Sequence, residues 1–130
     1  MKLTIHRGTH QIGGCVTELC TATTRIFIDF GSELPDADGT EPGPPLNIPG
    51  LTEPGLPCDG VFFTHTHGDH IGEIDRLLPN VPLYLGETSR EISLALNRRL
   101  DKVTDRKATI AALQRAQTYE PPKAIEVGNM

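Results

Sequence analysis

Apolar and polar residues alternate at the start of the chain, so Lys2 to Arg7 reads as a short strand. The β-rich runs Cys15 to Ala22 and Arg25 to Phe30, separated by Thr23-Thr24, predict two antiparallel strands joined by a tight turn. Between the first two strands, Gly8 to Gly14 carries three glycines and predicts a turn or ligand-approach loop; it lacks the spacing of a phosphate-binding fingerprint. Residues 35–60 hold seven prolines, including the run Pro42-Gly43-Pro44-Pro45, a density that supports neither a helix nor a central strand. A long irregular loop is expected there, either a flap near the mouth of a site, given its place before the next strand, or a mobile connection.

Gly60 to Thr64 is a continuous apolar run, expected as a buried strand. Ile71, Ile74, Leu77 and Leu78 give the segment from Ile71 to Leu78 one apolar face and predict a short helix. Val81 to Leu85 reads as another strand. In the helix predicted to follow, Thr88 and Glu91 have capping-box spacing, and Ile92, Leu96 and Leu100 recur as an apolar stripe expected in the core. A second helical segment from about Thr104 to Gln117 places Ile110, Leu113 and Ala116 on one side, and Pro121-Pro122 forbids its continuation. Strands first, then strands alternating with helices, predict an α/β (α+β) chain: one layer of an αβ/βα sandwich, a mixed sheet with helices on one face. At 130 residues the expectation is a single unit, 1–130, with the loop 35–60 inside it.

Composition changes this picture in two ways. Hydrophobic content of 37%, aromatic content of 5% and no Trp are low for a closed domain, so a sheet face left bare and self-association through it are expected. The formal net charge of −5 argues against a general polyanion-binding surface. Its distribution is uneven, because every charged residue from Asp29 to Asp75 is acidic while Arg90, Arg98, Arg99, Lys102, Arg106, Lys107 and Arg115 crowd a later stretch. That stretch is a candidate for facing a phosphate backbone, against the plainer reading of a solvated helix face. Cys15, Cys20 and Cys58 form an odd set without CxxC spacing, which predicts reduced, mostly packed thiols. No segment has the length of a membrane span and the amino terminus lacks the apolar core of a secretory signal, so a cytoplasmic location with no membrane partner is the default expectation.

The candidate chemistry is concentrated in His65-Thr66-His67-Gly68-Asp69-His70, which contains three of the chain's five histidines and follows the buried strand. Imidazoles two apart in an extended segment point the same way, and a carboxylate and a third imidazole follow on the turn. His65, His67, Asp69 and His70 are therefore predicted metal ligands. Nitrogen and oxygen donors suit zinc, with manganese or iron also compatible. His6 and His10 lie outside this cluster and are expected to be structural or exposed.

Read as HxHxDH after a strand, this run resembles the signature of the metallo-β-lactamase superfamily, mostly hydrolases with one or two metal ions. Ile5 to Gly14 and Val81 to Glu87 resemble its ribonuclease J branch, which cuts phosphodiesters. The resemblance covers about the first hundred residues. It implies that His65 and His67 serve one metal position and Asp69 and His70 a second, that Asp69 also orients or deprotonates water as the catalytic acid–base group, and that RNA or a related phosphodiester is the substrate. Asp29, in Phe27-Ile28-Asp29-Phe30-Gly31, falls where the family places an acid beside the metal loop; it is a candidate support for the ligands, or else a strand-terminating turn carboxylate. Family members run to about twice this length and carry further ligands in their second half, and no histidine follows His70 here. The chain therefore reads as an amino-terminal half, expected to bind metal weakly and to turn over slowly by itself. The alternatives are a non-catalytic metal-binding or assembly module and a thioester or lactam hydrolase of the same superfamily.

Overall fold

Short connections bring neighbouring strands together, and longer ones return the chain in parallel. The computed structural model describes residues 1–35, 38, 39 and 41–130. Its strands are Lys2–Arg7 (β1), Val16–Cys20 (β2), Arg25–Ile28 (β3), Gly60–Phe62 (β4), Leu83–Gly86 (β5) and Gln117–Tyr119 (β6); its helices are Gly68–Ile71 (α1), Glu87–Leu100 (α2) and Lys107–Arg115 (α3), with one 3-10 turn at Ile74–Arg76. They form one six-stranded mixed sheet in chain order. The first three strands are antiparallel, and β3, β4, β5 and β6 are parallel.

Register explains which face is buried. Phe27, Val61 and Leu83 stand side by side across β3, β4 and β5. All three are buried, in one cluster with Ile74, Leu94 and Leu113 from the helical segments. Each such side chain contributes about 1.5–3 kcal/mol of transfer free energy. The alternate positions form the opposite face, where Leu3, Leu19 and Ile26 line up across β1, β2 and β3, and Phe62 stacks on Tyr84. Leu3 and Ile5 are exposed there, so an apolar ladder is left facing outward.

Several expectations need correction. The helix expected from Ile71 to Leu78 is instead α1 followed by the 3-10 turn. The last helical bond runs from Gly72 N–H to the Gly68 carbonyl at 2.7 Å; Glu73 N–H is taken by the Phe30 carbonyl at 3.2 Å, so the helical ladder is interrupted. The capping box does not form, because α2 begins at Glu87 after Gly86 and Thr88 lies inside the helix. Ile92 (57% exposed) and Leu96 (54%) are not core; α2 buries Ser93 and Leu94 instead. The helix expected from Thr104 to Gln117 is shorter, and Gln117–Tyr119 pairs with β5 as a strand. Residues 126–130 make a turn, in which Val127 and Met130 exchange backbone hydrogen bonds at 2.9 Å.

The irregular loop is only partly described, since residues 36, 37 and 40 lie outside the described set. Its second half is not a flap over the histidine run. Ile48, Leu51 and Cys58 are buried in the core, and Arg25, at the start of β3, donates to the Pro49 and Leu56 carbonyls at 2.8 and 2.9 Å. The cysteines are all free, and burial pushes the Cys58 thiol up to about 11, as a packed thiol requires. No described helix is long and apolar enough to cross a membrane.

His6 has a structural partner. Its Nε2 lies 2.5 Å from Glu18 Oε2, and Arg25 Nε donates to Glu18 Oε1 at 2.8 Å. Burial alone would push the Glu18 carboxyl up, but hydrogen bonds from Arg25, His6 and Cys20 outweigh it and hold the group at about 2, against an ordinary 4.5. A depressed carboxylate stabilises the fold above its unfolded value and loses that contribution as pH falls through the folded one. Stability is therefore expected to decline between pH 4.5 and about 2 in the natural chain, and less steeply in Glu18→Gln. Denaturant midpoints recorded across that window check this, and parallel declines would contradict it.

Candidate functional site

Parallel strands place their carboxyl ends along one edge of a sheet, and β3 and β4 both end beneath the histidine run. Asp29, the residue after β3, is buried and adopts φ 60°, a left-handed conformation that Asp tolerates better than most side chains. Its N–H donates to the Phe62 carbonyl at 2.9 Å, which continues the β3–β4 pairing by one residue. This turn aims the carboxylate under the loop that follows β4.

The carboxylate is saturated with donors. Oδ1 accepts the Thr64 backbone N–H at 2.8 Å. Oδ2 lies 2.8 Å from the Thr64 hydroxyl and 2.7 Å from His70 Nδ1. A carboxylate only accepts, so the shared proton belongs to His70 Nδ1, and in the neutral ring Nε2 carries the lone pair. Thr64 extends the relay. Its one hydroxyl proton goes to Asp29, so its oxygen accepts from His65 Nδ1 at 3.0 Å, and His65 likewise keeps Nε2 as a donor atom for a cation. One buried acid thus sets the orientation of two rings, the arrangement that supports metal-binding histidines generally.

The structure brings the remaining predicted residues close. The His65 ring centroid lies 3.9 Å from that of His70 and 4.8 Å from that of His67. Asp69 Oδ2 is 3.5 Å from His70 Nε2. The donor types and the two oriented Nε2 atoms therefore fit a divalent cation in kind. Among the described residues, however, no three His, Cys, Asp or Glu side chains converge on one cation position, so the site is an open cluster and not a closed cage. His10 is exposed and takes no part in it.

Neighbouring loops clamp the motif backbone. Phe30 N–H donates to the His70 carbonyl at 2.9 Å, Ser32 N–H to the Gly68 carbonyl at 2.8 Å and Cys15 N–H to the Asp69 carbonyl at 3.1 Å. A Cβ on Gly31 would overlap the Asp69 carbonyl, and a Cβ on Gly13, at φ +86°, would come within 2.9 Å of Asp69 Cβ. The glycine-rich segment is thus an approach loop for the motif. Sequence reasoning missed Arg7, which donates from Nε to the Gly14 carbonyl at 2.9 Å, to the Gly31 carbonyl, and to Glu73 Oε1 at 2.9 Å. Nothing local to Arg7 signals this role, because its partners lie far away in sequence.

The basic stretch divides in two. Arg90 donates to the Leu113 and Gln114 carbonyls, and Arg115 to those of Leu78 and Val81, so both hold the helical layer together. Arg98, Arg99, Lys102 and Lys107 are exposed.

No family model matches the chain. The transcription termination factor FttA of Methanothermobacter thermautotrophicus is 30% identical over 98 residues, which make up 73% of this chain and 15% of that protein. A crystal structure of a protein of unknown function from Enterococcus faecalis V583 matches with a TM-score of 0.74 at 25% identity, over 97% of this chain and 35% of that one. The chain therefore has a fold already seen in a solved structure, and it spans only a fraction of the length of either relative.

The tight seat of Gly31 gives a direct test of the clamp. Gly31→Ala forces the Asp69 carbonyl away and is expected to cost about 3 kcal/mol of stability. Denaturant unfolding measures it, and a change within about 0.5 kcal/mol would contradict the packing described.

Proposed function

We propose that this chain is the metal-binding part of a hydrolase of the metallo-β-lactamase superfamily that cleaves phosphodiester bonds in RNA or a related nucleic acid. The observation that carries the reading is the buried Asp29 carboxylate, which holds His70 directly and His65 through Thr64, with the two ring centroids 3.9 Å apart. The likeness to FttA, a transcription termination factor, supports a nucleic-acid partner.

His65, His67, Asp69 and His70 would hold the cation, with zinc the default and manganese or iron compatible with the same donors. A bound divalent cation supplies Lewis-acid activation of water and stabilises charge on a phosphoryl oxygen. The residues of the chain do the rest. Asp29 and Thr64 keep the protons of His70 and His65 on Nδ1, and Asp69, with Oδ2 3.5 Å from His70 Nε2, would orient an attacking water and receive its proton. The open donor set is completed, on this reading, by groups in a further part of a longer protein, in keeping with the fraction of each relative that the chain spans.

The same openness favours a second reading, a non-catalytic metal-binding or assembly module. Zinc titration by calorimetry tests what the two share: His65→Ala with His67→Ala is expected to lower affinity by at least tenfold, and Asp29→Asn by about 10- to 100-fold through loss of ring orientation. Equal affinities in all three proteins would remove the metal site. Assay of the longer protein with zinc on single-stranded RNA and on a thioester then separates the readings, with RNA cleavage expected; thioester hydrolysis alone would overturn the substrate, and no turnover of either would leave the module.

A further inference from the structure

Among the described residues, one buried side-chain nitrogen or oxygen has no hydrogen-bond partner: Arg106 Nε. A buried donor without a partner costs about 1–3 kcal/mol, and more on a charged group. Arg106 precedes α3, and its backbone N–H is secured by Asp101 Oδ1 at 2.7 Å. Its side chain lines a cavity of about 220 Å³ shared with Thr66 of the histidine run, Ser93 and Asn97 of α2, and Thr109 of α3. No carboxylate lines this cavity, so its only formal charge is the guanidinium. Hydroxyls and an amide supply further donors. The rim is aliphatic, formed by Ile92 and Leu96, the two α2 residues that the apolar pattern assigns to a core and the fold leaves exposed.

A cationic, donor-rich pocket with an aliphatic rim calls for an anion carried on a partly apolar body. Guanidinium matches phosphate oxygens through paired N–H donors. The volume lies below the roughly 300–1,000 Å³ of sites for drug-sized ligands, so the cavity encloses only the phosphoryl end of one nucleotide and leaves the rest of it outside. Thr66 lies between His65 and His67, so a single loop lines both this cavity and the histidine cluster.

We propose that this cavity is a phosphoryl-binding subsite for a nucleotide unit of the substrate strand, with Arg106 as the group that recognises the phosphate. The assignment of the ligand as a nucleotide rests on the phosphodiesterase reading; the existence of an anion site does not. It places a second contact on the strand beside the histidine cluster, on the helical layer.

The test is calorimetric titration of the metal-free full chain, in EDTA, with adenosine 5′-monophosphate, inorganic phosphate and adenosine. The monophosphate is expected to bind, more tightly than inorganic phosphate, and adenosine to bind at least tenfold more weakly. Arg106→Gln is expected to lose at least tenfold in monophosphate affinity with its circular dichroism unchanged. Leu96→Trp, which fills the exposed rim, is expected to do the same, and it keeps the test open if Arg106→Gln fails to fold. Arg98→Ala, on the exposed part of α2, is expected to bind as the natural chain does. Unchanged affinity in both Arg106→Gln and Leu96→Trp, or no binding by the natural chain, would overturn the subsite. Binding that appears only when zinc replaces EDTA would place the phosphate at the histidines, overturning the subsite while leaving the nuclease reading intact. Arg106-dependent binding in a protein that hydrolyses only thioesters would do the reverse.

Discussion

The site depends on one buried carboxylate. Asp29 is 4% exposed and receives the Thr64 amide, the Thr64 hydroxyl and the His70 ring. Burying a carboxylate is costly unless its oxygens are occupied, so these donors and the acid need one another. The bonds also carry directional information: each ring nitrogen that faces Asp29 or Thr64 is occupied, and each Nε2 is left outside those bonds, that of His70 lying 3.5 Å from Asp69 Oδ2. Backbone strain at φ 60° is the local cost of pointing this side chain under the loop.

Around that anchor the motif is clamped by backbone, and this is why small residues gather near it. Gly13 and Gly31 let two loops pass within contact of Asp69, while Arg7 ties those loops to Glu73. The same clamp draws the Glu73 amide to Phe30 and ends α1 after one turn. Local helix propensity yields here to the demands of the loop, which is common where a site and not a core sets the geometry.

Periodicity made the order of elements legible: the alternation of β1, the apolar run of β4 and the helical stretch of α2 all appear near where their patterns place them. It could not reveal what tertiary hydrogen bonds decide. The four-residue recurrence of Ile92, Leu96 and Leu100 suggests a buried stripe, yet α2 docks on the face carrying Ser93 and Leu94, because α3 and β5 approach from that side. Three residues, Gln117 to Tyr119, are too few to signal a strand by alternation, and β6 exists because β5 offers a free edge. At the site, the clustering of His65, His67, Asp69 and His70 is readable from spacing. Thr64 carries a weaker signal, a hydroxyl closing an apolar run. The bonds from Arg7 to Gly14 and Gly31 have none, and the buried Arg106 Nε follows only from packing of the two helices.

The ring protonation pattern is the property that links fold to chemistry in this chain. Long-range proton–nitrogen spectra of the imidazoles, recorded before and after addition of zinc, observe it directly. His65 and His70 are expected to carry their neutral-ring proton on Nδ1, and zinc is expected to shift their Nε2 resonances. Rings protonated on Nε2, or zinc-induced shifts confined to other residues, would contradict that pattern.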